Sequence, residues 1–176
     1  TSMDVATRTP RVLVAGVGVW QSQRVVLVPE SGTASLVVEP AADRMRDVRR
    51  GEVRPFSFQS PKGRTIDGRV YLPTRFDPEV RYPVIVYYYG GTSPISRDFG
   101  GRYPKEWWAA NGYVVYVPQP SGATGYGQEF SALHVNTWGQ DTIGEIVEGT
   151  KPFLAAHPVA DPARVGCIGA SYGGVS

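Results

Sequence analysis

The sequence predicts an α/β fold with a mostly parallel sheet, preceded by a few separate β-strands. Three observations predict it. Nearly continuous apolar runs recur at 83–89, 113–117 and 164–168, as strands buried on both faces require. Segments of helical character at 104–111 and 141–157 alternate with them, and strand–helix alternation folds as parallel strands with helices on both faces. The first fifty residues instead hold short apolar runs split by turn residues. At 176 residues the chain is long enough for one domain with a core, or for one domain and a piece of another.

Within 1–50, strands are expected at Val12–Val17, Arg24–Val28 and Ser35–Val38. Ser31-Gly32-Thr33 joins the last two as a hairpin. The arginine-rich stretch Ala41–Val53 reads as a connector. Val53–Gln59 and Thr65–Leu72 flank Pro61-Lys62-Gly63, a turn sequence that predicts a second hairpin. Pro73–Tyr82 reads as a loop. Pro83–Tyr89 is a buried strand broken by Gly90-Gly91, and Pro104–Asn111 is a short helix stopped by Gly112. Tyr113–Val117 is the next buried strand, and Pro118–Gly127 a glycine-rich loop. Asp141–His157 is the crossover helix, capped by Asp141 or Thr142. Ile143, Ile146, Val147 and Leu154 share one face of it, and Pro152 predicts a kink or an early end. Arg164–Ile168 is the last strand. No repeat or low-complexity segment is visible.

With 41% apolar and 19% charged residues, the composition is that of a globular protein and not of a disordered one. A net charge of +2 excludes a dedicated nucleic-acid or anionic-membrane surface. Arg44, Arg46, Arg49 and Arg50 are interleaved with Asp43 and Asp47 and read as a solvated linker. The single cysteine, Cys167, permits no intrachain disulfide. Its place in an apolar strand predicts a small buried hydrophobe. No apolar run is long enough to span a membrane, and residues 1–4 show no signal-peptide pattern. Gly16-Val17-Gly18 fails as a dinucleotide fingerprint because Gln21 stands where the third glycine belongs. Without C-x-x-C or H-E-x-x-H, no metal and no cofactor is called for.

The chemistry-bearing motif is Gly169-Ala170-Ser171-Tyr172-Gly173, directly after the last strand. Strand, G-x-S-x-G and helix start is the pattern of a nucleophile elbow, in which a sharp turn lifts a serine hydroxyl clear of the sheet. Side chains in place of Gly169 or Gly173 would collide with the neighbouring strand or helix.

From about Val53 onward the chain resembles the catalytic domain of the prolyl oligopeptidase family of serine peptidases. Four stretches carry the resemblance, in order: Tyr82–Val86 leading to Tyr89-Gly90-Gly91, Pro120–Gly127, Trp138-Gly139 before a helix, and Asp161–Gly166 before the elbow. The resemblance implies an α/β-hydrolase fold, cut just after the elbow, for 51–176. It also implies that 1–50 is the end of a β-propeller plus linker. Ser171 is then the nucleophile, the backbone N–H of Tyr172 one oxyanion donor, and the hydroxyl of Tyr89 the second. A peptide is the implied substrate. The glycine-rich loop departs from many members, which have Arg and Ser where this chain has Ser121 and Ala123. Either those contacts are absent, or this is a sub-branch with its own version.

In α/β-hydrolases the acid and the histidine follow the nucleophile in sequence. Only Tyr172, Gly173, Gly174, Val175 and Ser176 follow Ser171. His134 and His157 precede it and read as surface or loop histidines. Asp141 and Glu145 read as helix-start residues. Tyr126, Trp107, Trp108 and Trp138 read as packing residues. The chain as given therefore holds a nucleophile and oxyanion half-site and is expected to be inactive alone. Two other readings stay open on sequence: an esterase or lipase-like hydrolase with the same elbow, and a non-catalytic binding module.

Overall fold

A computed structural model of the chain describes residues 2–137 and 139–175. They form two compact units. The first comprises residues up to Arg50 together with Arg97–Pro104, and the second Gly51–Ser96 and Lys105 onward.

The first unit is a four-stranded antiparallel sheet in the order β1 (Ser2–Val5), β2 (Arg11–Gly18), β3 (Gln21–Pro29), β4 (Ser35–Val38). The β3–β4 hairpin is the one that the turn at 31–33 predicts. Two features escape the sequence reading. β1 pairs with β2 through Met3↔Val14 and Val5↔Val12, although Ser2–Val5 has no strand-like alternation. β2 and β3 form a hairpin around Val19 and Trp20, where Trp20 takes φ 56°, a conformation usually left to glycine or asparagine. The Trp20 ring is buried and packs 5.9 Å from Phe99, which explains why Arg97–Pro104 belongs to this unit. Within the expected connector lies a single helical turn, α1 (Ala42–Met45), that buries Met45.

The second unit is an α/β sheet in the order β5 (Val53–Gln59), β6 (Thr65–Tyr71), β8 (Val114–Gln119), β7 (Tyr82–Tyr88), β9 (Ala160–Gly169). β7 pairs in parallel with both β8 and β9, whereas β5–β6 and β6–β8 are antiparallel. Among the described residues the sheet is thus half parallel instead of mostly parallel. The tight turn of the β5–β6 hairpin, which can only join antiparallel strands, accounts for one of the two antiparallel pairs; the other arises where β6 joins β8. The hairpin turn is closed by Gly63 N–H to Ser60 O at 2.8 Å, with Gly63 at φ 75°.

Strand alternation sends successive side chains to opposite faces. Val84, Val86 and Tyr88 of β7, with Val114 and Tyr116 of β8, pack against Ile146 and Phe153 of α4 (Gln140–Ala156). Tyr116 stacks on Phe153 at 4.4 Å. From the opposite face Tyr87 meets Trp108 of α2 (Lys105–Ala110) at 5.4 Å. Helices therefore cover both faces.

α4 corrects two expectations. No side chain caps it, and Gly139 at φ 72° stands before its first turn; Asp141 turns instead to Lys62 and Arg64. Its buried face is Thr142, Glu145, Ile146, Gly149 and Phe153, while Ile143 and Val147 are exposed. The bulky Phe58 takes the place a side chain at 149 would need, so the packing face turns toward the small residue. The helix runs past Pro152 to Ala156, close to its expected end at 157, so of the two outcomes expected at Pro152 the early end is excluded. A proline costs one backbone hydrogen bond, and packing of Phe153 into the core offsets it.

β9 begins earlier than Arg164. Asp161 accepts the Ala163 N–H at 2.9 Å and Arg164 Nε at 2.7 Å, and the ladder to β7 shifts there before resuming at Val84↔Val165. Cys167 is exposed, which overturns its expected burial. β9 is the edge of the sheet, and β7 is its one strand neighbour among the described residues.

Candidate active site

Adjacent parallel strands end side by side, so β7 and β9 deliver their carboxyl ends to one place. Tyr88 is the register partner of Gly169. The chain that leaves β7 is Tyr89-Gly90-Gly91, and the chain that leaves β9 is Ala170-Ser171. Crevices outside the carboxyl ends of parallel strands are where α/β proteins bind ligands.

Ser171 is exposed, takes φ 55° and opens a single turn of 3₁₀-helix, Ser171–Gly174. A positive φ on a serine is a strained backbone state held by its surroundings. Those surroundings are the two glycines. A Cβ on Gly169 would overlap the carbonyl oxygen of Gly173, and one on Gly173 would lie 2.8 Å from Tyr88 O and 3.2 Å from Tyr89 Cα. The turn is therefore pressed against the end of β7 at a distance that only glycine permits.

Tyr89 and Tyr172 meet there, with ring centroids 6.4 Å apart at 63°. Gly91 folds back over the Tyr89 ring, since a Cβ on it would lie 2.6 Å from Cε1 and 3.2 Å from the hydroxyl. Gly90 has φ 71°. The loop beyond is pinned at Ile95: its N–H donates to Gln119 Oε1 at 2.9 Å, and its carbonyl accepts Arg69 Nη2 at 2.7 Å and Gln119 Nε2 at 3.3 Å. Beneath the site, burial and the neighbouring Cys167 thiol raise the Tyr88 hydroxyl above the ordinary tyrosine range.

The structure thus brings Tyr89, Ser171 and Tyr172 together. His157 stands apart at the other end of α4, its Nδ1 2.8 Å from Phe153 O and its ring 5.2 Å from Phe56. His134 is half-buried, with its ring 5.2 Å from that of Tyr172. It is a neighbour of the site that sequence reasoning takes for an ordinary loop residue. Tyr126 is partly exposed and packs on Phe130 at 5.1 Å. Trp107 is 62% exposed and not a core residue, because α2 buries Lys105, Glu106 and Ala109 and leaves Trp107 on its outer side. Trp138 lies outside the described residues. Glu145 is no helix cap: it is buried beneath the glycine-rich loop and accepts two bonds from Ser121. Nothing in the local sequence pairs positions 121 and 145.

Comparison with known proteins bears out the resemblance. Residues 102–176 match the family model described as prolyl oligopeptidase family. Dipeptidyl-peptidase 5 of Aspergillus fumigatus is 28% identical over 170 residues, covering 93% of this chain and 23% of that protein. Dipeptidyl peptidase 8 of Mus musculus is 33% identical over 123 residues, covering 68% of this chain and 14% of its own length. Acylaminoacyl peptidase of Pyrococcus horikoshii superposes with a TM-score of 0.84 at 24% identity, over 99% of this chain and 27% of that one. The chain spans about a quarter or less of the length of these relatives.

Proposed function

We propose that this chain, kin to the prolyl oligopeptidase family, carries the nucleophile and oxyanion half of a serine peptidase site. Ser171 Oγ attacks the carbonyl carbon of a peptide bond while a histidine base takes its proton. The C–N bond breaks, the amine leaves with that proton, and an acyl-enzyme remains on Ser171; water then releases the acid. The N–H of Tyr172 and the hydroxyl of Tyr89 donate to the oxyanion that forms in between.

The observation that carries this reading is the seating of the Ser171 turn on the end of β7, with Gly173 against the Tyr88 and Tyr89 backbone and the Tyr89 and Tyr172 rings in contact. In this family's order the acid and the histidine follow the nucleophile, and residues 172–176 contain neither. The 176-residue chain alone is therefore proposed to be inactive, since loss of a triad member costs several orders of magnitude in rate. The N-terminal sheet is proposed to be the end of a β-propeller. Its simple antiparallel order β1-β2-β3-β4 supports that reading, as strands of a blade follow one another in this way.

Full-length protein carrying this chain should cleave peptide anilides in preference to p-nitrophenyl esters, and Ser171→Ala should abolish cleavage. Ester hydrolysis with no peptide cleavage would replace the peptidase by an esterase. The 176-residue chain should resist an activated serine-directed phosphonate, and rapid stoichiometric labelling of its Ser171 would refute the half-site reading.

A further inference from the structure

The glycine-rich loop that follows β8 is held by a buried carboxylate that the proposed chemistry leaves unused. Glu145, on the second turn of α4, is 3% exposed. Its Oε2 accepts the Ser121 backbone N–H at 2.7 Å, and its Oε1 accepts the Ser121 hydroxyl at 2.6 Å. Thr142 Oγ1 donates to the Ser121 carbonyl at 3.5 Å, so α4 takes hold of every polar group of Ser121. A buried carboxylate needs a compensating cation. Arg64, from the β5–β6 hairpin, supplies it: Nη1 lies 3.3 Å from Glu145 Oε1, 3.4 Å from Ser121 Oγ and 3.0 Å from Asp141 Oδ2.

A plain structural anchor would end at Ser121. Two routes instead run on from it to the groups proposed to hold the oxyanion. Thr124 N–H donates to Thr92 O at 2.9 Å, in the loop that leaves Tyr89-Gly90-Gly91. Gly122, at φ 95°, lies against His134, where a Cβ would stand 2.8 Å from Nδ1; the His134 ring in turn packs on Tyr172.

We infer that Glu145, charge-balanced by Arg64, is a positioning residue that sets, through Ser121, the two loops aligning Tyr89 and Tyr172. The inference rests on the oxyanion role proposed for those two tyrosines.

The test uses the full-length protein and a peptide anilide. Glu145→Gln keeps the size of the side chain but removes the charge and one acceptor. It should lower kcat about 10- to 100-fold, the scale on which small misplacement of catalytic groups is felt, with KM little changed. Ser121→Ala should lower kcat by less, and Arg64→Lys should retain more activity than Arg64→Gln. Active sites are counted by phosphonate titration. Unchanged kcat per titrated site, with only a lower Tm, would overturn the inference. Amide exchange gives a readout independent of turnover: Glu145→Gln should speed exchange at Thr124 and at Gly173, whose N–H bonds Ala170 O at 2.9 Å. Faster exchange confined to Ser121 and α4 would overturn it. If Glu145→Gln fails to fold, Ser121→Ala and the Arg64 pair decide. A parent protein that neither cleaves nor labels would refute the proposed function, while the exchange data would still decide the positioning role.

Discussion

Strands β8 and β9 have comparable apolar runs and opposite surroundings. β8 is buried at all six positions, flanked by β6 and β7 and covered by helices. β9 is exposed from Pro162 through Cys167, because it is an edge strand that pairs only with β7 among the described residues. Hydrophobic pattern specifies that a segment becomes a strand, whereas the number of its neighbours is set by topology.

The largest effect should come from the buried side. Tyr116 is fully buried between Phe56 and Phe153, and Tyr116→Ala should cost about 3–5 kcal/mol in denaturant unfolding, as for other large aromatics cut from a core. A loss below about 1 kcal/mol would mean that this face is not the tight core described. Gly149→Ala pushes a methyl into Phe58 and should cost about 1–3 kcal/mol by overpacking, read in the same way.

Asp141→Asn should act through pH. Hydrogen bonds from Lys62 and then Arg64 hold the Asp141 carboxyl below the ordinary carboxylate range, so the folded state favours its ionised form. That stabilisation is present above about pH 4 and is lost as pH falls through the lowered value. The variant should melt below the parent at pH 7, and the deficit should shrink steadily as pH is lowered below about 4. A Tm deficit that stays constant as pH falls would show that charge is not the cause.

The smallest effects belong to β9. Val165→Ala in the 176-residue chain should cost under about 1 kcal/mol, and the Cys167 thiol of that folded chain should react with a disulfide reagent. A thiol that is silent until unfolding would mean that β9 is covered on that face.

Much of this was legible in the sequence. The β5–β6 hairpin and the buried strands β7 and β8 follow from turn residues and apolar runs, and the Ser171 motif announces its own geometry through Gly169 and Gly173. What escaped depends on tertiary partners. Cys167 sits in an apolar run, yet its burial hangs on strands that a local pattern cannot supply. The β2–β3 turn uses Trp20 where glycine or asparagine is the usual signal. Glu145 looks like a helix-start residue because its partners Ser121 and Arg64 lie 24 and 81 residues away. His134 gains its place only when Gly122 of the glycine-rich loop packs against it and its ring meets Tyr172.

Treatment of full-length protein with a fluorophosphonate, followed by peptide mapping, tests the central assignment most directly. One adduct per chain on Ser171, absent in Ser171→Ala and accompanied by loss of peptide cleavage, is the predicted result. Complete loss of cleavage with the adduct on another residue, or full activity retained by Ser171→Ala, would contradict it.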